Sequence, residues 1–120
     1  MDLGLSETQQ MLKNSARAFL EAECSPAYVR DMENDHRGYS HEMWTNMAEQ
    51  GWLGLIIPEI YGGVGLEFQD LTVLLEEMGR HIVPGPFFST VVLGSVTIME
   101  SGSEKQKNEY LPQIAGGQLI

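Results

Sequence analysis

Pro84-Gly85-Pro86-Phe87-Phe88-Ser89-Thr90-Val91-Val92-Leu93-Gly94-Ser95-Val96-Thr97-Ile98-Met99 is the stretch that decides the fold. From Ile82 to Met99 no residue is charged, in a chain of 120 residues holding 17 Asp and Glu against 7 Lys and Arg. A membrane span needs about 20 consecutive apolar residues. Pro84 and Pro86 break this run near its start, and Ser89, Thr90, Ser95 and Thr97 interrupt the remainder. The stretch therefore predicts one buried helix of globular length, from Pro86 to about Ser101 with Gly102 as its cap, and no membrane span. Phe88, Val92, Ser95 and Met99 share one side of that helix; Phe87, Val91, Gly94 and Ile98 share another. A helix apolar around most of its girth has to be covered around most of it. A small bundle covers one side easily, so the pattern points to a further surface: a missing domain, a subunit or an apolar ligand. The alternative is a central helix wrapped by the others.

Upstream, Ser6-Glu7-Thr8-Gln9 has the form of a capping box. A helix should follow, with Leu12, Ala16, Phe19 and Leu20 on its apolar face. It either stops before Pro26 or resumes over Ala27 to Met32. Asn34 to Gly38 reads as a polar loop. Ser40 is placed to cap a short helix carrying Met43, Trp44, Met47 and Ala48, closed by a left-handed Gly51. Trp52 to Ile57 is apolar without period and reads as a buried extended connection, ending in the turn-rich Pro58 to Gly65. The most regular helix has Phe68, Leu71, Leu75, Met78 and Ile82 in steps of three and four. Its Glu76 and Glu77 are expected to face solvent. Downstream, Ser103-Glu104-Lys105-Gln106 is a second capping box, and Pro112 should end or kink its helix. The fold class is all-α: an antiparallel helical bundle of about five helices, joined by short connections.

A net charge of -10 argues against nucleic acid, which rewards clustered positive charge, and against anionic membrane surfaces. Cys24 is the single cysteine, so it can form neither an internal disulfide nor a cysteine metal site alone. A reducing cytoplasm is the expected compartment, and Met1 to Gln10 has neither the basic nor the apolar segment of a signal peptide. Gly62-Gly63-Val64-Gly65 lacks the third glycine of a dinucleotide loop and the Gly-Lys-Ser/Thr of a phosphate loop, so it reads as a tight turn. His36, His41 and His81 match no zinc spacing. Asp31, Glu33 and Asp35 lack the register of a calcium loop. Residue by residue the chain offers no catalytic constellation and no metal site.

Five pieces together carry a resemblance, Gly51-Trp52-Leu53-Gly54-Leu55, Pro58-Glu59-Ile60-Tyr61-Gly62-Gly63, Leu75-Glu76-Glu77-Met78-Gly79-Arg80, Gly102 to Lys107 and Tyr110-Leu111-Pro112, and the opening Leu5-Ser6-Glu7-Thr8-Gln9 fits too. In this order and spacing the sequence resembles the N-terminal helical domain of acyl-CoA dehydrogenases. The resemblance implies that residues 1–120 are that domain, with the middle β domain and the C-terminal helical domain absent. Gly116-Gly117-Gln118 would sit where the family passes into its β domain. It implies FAD bound mainly by the absent domains, a glutamate base beyond Ile120, an electron-transfer flavoprotein as acceptor, and homologous subunits. Alone, the chain would be inactive. The helix from Pro86 would help wall an acyl pocket, with Phe87, Phe88, Ser89, Val91 and Val92 as candidates, each of which interdomain packing would explain equally. Redox-silent subunits of heteromeric dehydrogenases and flavin monooxygenases share the pattern, and a non-enzymatic helical module remains an alternative.

Overall fold

Serine caps open four of the helices. In the computed structural model, which describes residues 4–120, Ser6 accepts from the Gln9 amide and Gln9 returns the bond to the Ser6 amide, both at 3.1 Å. Helix α1 follows over Glu7–Glu23. Ser25 caps α2, Pro26–Glu33, with the proline at its first turn, where a missing N–H costs nothing. Ser40 caps α3, His41–Glu49. A single 3-10 turn covers Glu59–Tyr61, and α4 spans Phe68–Arg80. The uncharged stretch forms a π-helix over Phe88–Ser95 that runs straight into α5, Val96–Ser101. Ser103 and Gln106 form the second capping box and start α6, Glu104–Ala115. No strand occurs among the described residues.

Contacts divide the chain into two compact units, one up to Gly38 together with Phe68–Pro84, the other Tyr39–Glu67 together with Gly85–Ile120. In the first, α1 lies along α4. Ala16 and Leu20 are fully buried, as are Leu71 and Leu74. Three polar links tie the pair at matching heights: Gln9 Nε2 donates to Asp70 Oδ1 at 3.1 Å, Arg17 to Glu77 at 2.9 Å, and the Cys24 thiol to the His81 carbonyl at 3.7 Å. Both residue numbers rise together, so α1 and α4 run parallel. Short loops imply antiparallel neighbours, but no short loop joins these two.

Two expectations for α4 need correction. Glu77 is buried, at 1% exposure, because Arg17 supplies the charge and hydrogen bonds its carboxylate requires. Ile82 is not on the helical stripe. It takes a left-handed φ of 52°, is 70% exposed, and forms the turn that stops α4. The amide of Val83 bonds the Met78 carbonyl and that of Ile82 the Gly79 carbonyl, the six-to-one and five-to-two pattern that usually has glycine at this position. A left-handed β-branched residue is strained by about 1–2 kcal/mol. Ile82→Gly is therefore expected to raise stability by about 1 kcal/mol, read as a higher urea midpoint. An unchanged or lower midpoint would contradict the strain.

In the second unit, α3 closes with Gly51 left-handed, as the sequence predicts. Trp52 to Ile57 is buried but forms successive turns rather than an extended segment. The amides of Val64, Gly65 and Leu66 bond the carbonyls of Gly54, Ile57 and Leu55, which is how a buried connection satisfies its backbone. α6 continues through Pro112 to Ala115. Leu111 and Ile114, on either side of the proline, are buried in a cluster with Ile57 and Tyr61 that holds the helix together. α6 runs back against α5 and the π-helix, the antiparallel arrangement expected of neighbours joined by the short Gly102-Ser103 link.

Candidate functional site

The π-helix is the element whose sequence demanded a second surface. Phe87, Thr90, Val91 and Ser95 are buried. Phe88 and Leu93 are 57% and 55% exposed, and Val92, Val96, Ile98 and Met99 are half-buried. One side of the helix is covered, Ile98 and Met99 pack partly against the Ile57, Tyr61, Leu111 and Ile114 cluster, and Phe88 and Leu93 stay open in a segment with no charge to solvate them. Exposed contiguous apolar surface of this kind marks a binding or packing face.

The five pocket candidates separate onto different sides. Phe87 and Val91 are buried; Phe88 and Ser89 are exposed and Val92 half-buried. The open face thus holds Phe88, Ser89 and Val92, with Leu93 added. Leu93 escaped sequence reasoning because a wide π turn does not follow the 3.6-residue period used to sort the faces. Ser89 also lines a groove of about 400 Å³, with Thr90, Gly94, Ile98, Ile114 and Leu119. Its walls are the π-helix, α5, α6 and the segment after α6.

The glycine loop is a structural turn. An added Cβ at Gly63 would lie 2.0 Å from the Ile57 carbonyl oxygen. Every amide from Gly62 to Leu66 donates within the chain, to Glu59, Pro58, Gly54, Ile57 and Leu55 in turn. No N–H of this loop is left to hold a pyrophosphate, so these residues do not fit a dinucleotide cradle.

Other chemistry-bearing residues serve the fold. His36 and His41 are exposed, and His81 places Nδ1 2.9 Å from the Glu77 carbonyl. Asp31 and Glu33 are exposed at the end of α2, and the Arg37 amide holds the Asp35 carboxyl below its ordinary range. No group of three His, Cys, Asp or Glu gathers among the described residues. Cys24 is buried, which pushes its thiol pKa up and keeps it protonated. The Tyr61 hydroxyl donates to Glu104 at 2.8 Å, tying the 3-10 turn to the start of α6. No described helix is long and apolar enough to cross a membrane.

Residues 6–118 match the family described as acyl-CoA dehydrogenase, N-terminal domain. The chain belongs to the acyl-CoA dehydrogenase family. Among relatives of this N-terminal domain is acyl-CoA dehydrogenase IpdE2 of Mycolicibacterium smegmatis, 34% identical over 117 residues that make up 97% of this chain and 36% of that protein. The domain superposes on an acyl-CoA dehydrogenase from Geobacillus kaustophilus with a TM-score of 0.84 and 30% identity, covering 100% of this chain and 31% of that one. It also superposes on a chain of the ChsE4-ChsE5 complex from Mycobacterium tuberculosis, with a TM-score of 0.81 and 29% identity, covering 100% of this chain and 30% of that one. The chain spans about a third of the length of these relatives.

Proposed function

We propose that these residues are the N-terminal helical domain of an FAD-dependent acyl-CoA dehydrogenase that desaturates acyl-CoA thioesters between the α and β carbons. The open apolar face of the π-helix carries the reading. An uncharged wall suits a fatty acyl chain, because burial rather than hydrogen bonding supplies the affinity. Phe88, Ser89 and Val92 would line the acyl pocket from this side, while Phe87 and Val91 hold the wall in place from behind. The middle β and C-terminal helical domains would cover the remaining apolar face. They would also hold the FAD, which supplies the redox chemistry, since the glycine loop here cannot. An electron-transfer flavoprotein is the proposed acceptor, homologous subunits the proposed assembly, and the cytoplasm the proposed compartment. Residues 1–120 alone would then be inactive.

Filling the wall tests this reading. In the full-length protein, Ser89→Trp should lower kcat/KM for the longest accepted acyl-CoA at least about tenfold while sparing the shortest. Equal loss across the series, or none, would remove Ser89 from the pocket.

The similarity to a chain of the ChsE4-ChsE5 complex favours a second arrangement, in which this domain sits in one of two unlike subunits. A redox-silent subunit would copurify with a partner and carry no flavin of its own.

A further inference from the structure

We infer that Ser95 locks Phe88–Ser95 in π register and thereby sets which side chains the segment presents to a bound acyl chain. The inference deepens the proposed dehydrogenase reading and rests on it. Ser95 is fully buried, and its hydroxyl donates to the Thr90 carbonyl, five residues back, at 3.3 Å. A serine or threonine in an α-helix bonds three or four residues back. Thr97, in α5, does so, donating to Leu93 at 2.6 Å. The five-residue reach of Ser95 thus adds a second donor to the same register that defines a π turn. Gly94 supports it. An added Cβ there would lie 3.3 Å from the Ser89 carbonyl oxygen, again five residues back, so the wide turn leaves little room for a side chain.

The consequence is one of direction. A π segment winds more residues per turn than an α-helix. Returning Phe88–Ser95 to α register would rotate its first half relative to α5, carrying Phe88, Ser89 and Val92 around the axis. Ser95 is buried and off the open face, so it acts on a substrate only through those side chains. It is a positioning residue. Removing its hydroxyl leaves the Thr90 carbonyl with backbone donors only and takes away the side-chain bond that favours the wide turn over the ordinary α bond.

The test compares Ser95→Ala and Ser95→Thr in the full-length protein, by crystal structure and by kcat/KM across a series of straight-chain acyl-CoAs. Ser95→Ala is expected to show four-residue bonds through residues 88–95. It should also change the ratio of kcat/KM between the longest and shortest substrates at least about fivefold, through KM. Ser95→Thr, which keeps the hydroxyl, should retain both register and ratio. A π-helix that persists in Ser95→Ala overturns the inference, and so does an α register with an unchanged ratio. A wild-type protein that accepts no acyl-CoA overturns the specificity role together with the dehydrogenase reading. The register seen in Ser95→Ala then still decides whether Ser95 sets the helix geometry.

Discussion

Gly63→Ala is expected to destabilise the protein by about 3 kcal/mol. The new methyl carbon would sit 2.0 Å from the carbonyl oxygen of Ile57 and 2.5 Å from its Cβ. One of those atoms is backbone and the other belongs to a fully buried residue, so neither can move aside cheaply. The Gly65 amide also bonds that same Ile57 carbonyl, so pushing the loop away breaks the link between the glycine turn and the buried Trp52 to Ile57 connection. Gly38→Ala is the comparison. Nothing lies within 4 Å of its added Cβ, and only its left-handed φ of 78° opposes the change. Its cost should be about 1 kcal/mol. Urea unfolding followed by the fluorescence of the buried Trp44 and Trp52 measures both. Equal losses at Gly63 and Gly38 would show that the close approach to Ile57 is not what requires glycine.

Arg17→Ala should lower the thermal midpoint by about 5 °C at pH 7, with the loss shrinking in acid. Glu77 lies at 1% exposure and meets Arg17 through two hydrogen bonds, 2.9 and 3.3 Å. Burial pushes its carboxyl pKa up; the hydrogen bonds and charge of Arg17, with help from Arg80, more than offset this and hold it below the ordinary 4.5. A depressed carboxyl contributes stability that is complete above its unfolded pKa and lost as pH falls through the folded value. Without Arg17 only the longer contact to Arg80, at 3.9 Å, and the charge of Lys13 oppose the burial effect, so the carboxyl rises and resists ionisation more than in wild type. The gap between wild type and Arg17→Ala should therefore be widest near pH 7 and close as pH falls through the depressed folded value of the Glu77 carboxyl. Adding Glu77→Gln to Arg17→Ala should recover part of the loss, because it removes a buried charge that keeps only the 3.9 Å contact to Arg80. A gap that stays constant with pH would assign the effect to lost packing of the arginine stem instead.

Local chemistry made much of the fold legible. Ser6, Ser40 and Ser103 mark helix starts because a hydroxyl three residues ahead of a free amide is a short-range signal. Gly51 marks a helix end for a similar reason. What escaped depends on residues far apart in sequence. Glu77 looks like a surface charge until Arg17, sixty positions earlier, is brought beside it. Trp52 to Ile57 looks extended until the loop after it returns to satisfy its carbonyls. Pro112 looks like a helix end until Leu111 and Ile114 are seen anchored on both sides. The candidate site was legible as a need for cover. Which of its five residues face outward was not, because the π turns depend on a side-chain bond from Ser95 that no 3.6-residue pattern reveals.

Anaerobic titration of the full-length protein with a panel of acyl-CoAs, followed in the oxidised flavin band, decides whether it is an acyl-CoA dehydrogenase. At least one acyl-CoA should bleach the band, with the best substrate reporting the size of the pocket that Phe88, Ser89 and Val92 are proposed to line. A bound flavin that no acyl-CoA bleaches, or a protein that carries no flavin, would contradict the dehydrogenase reading.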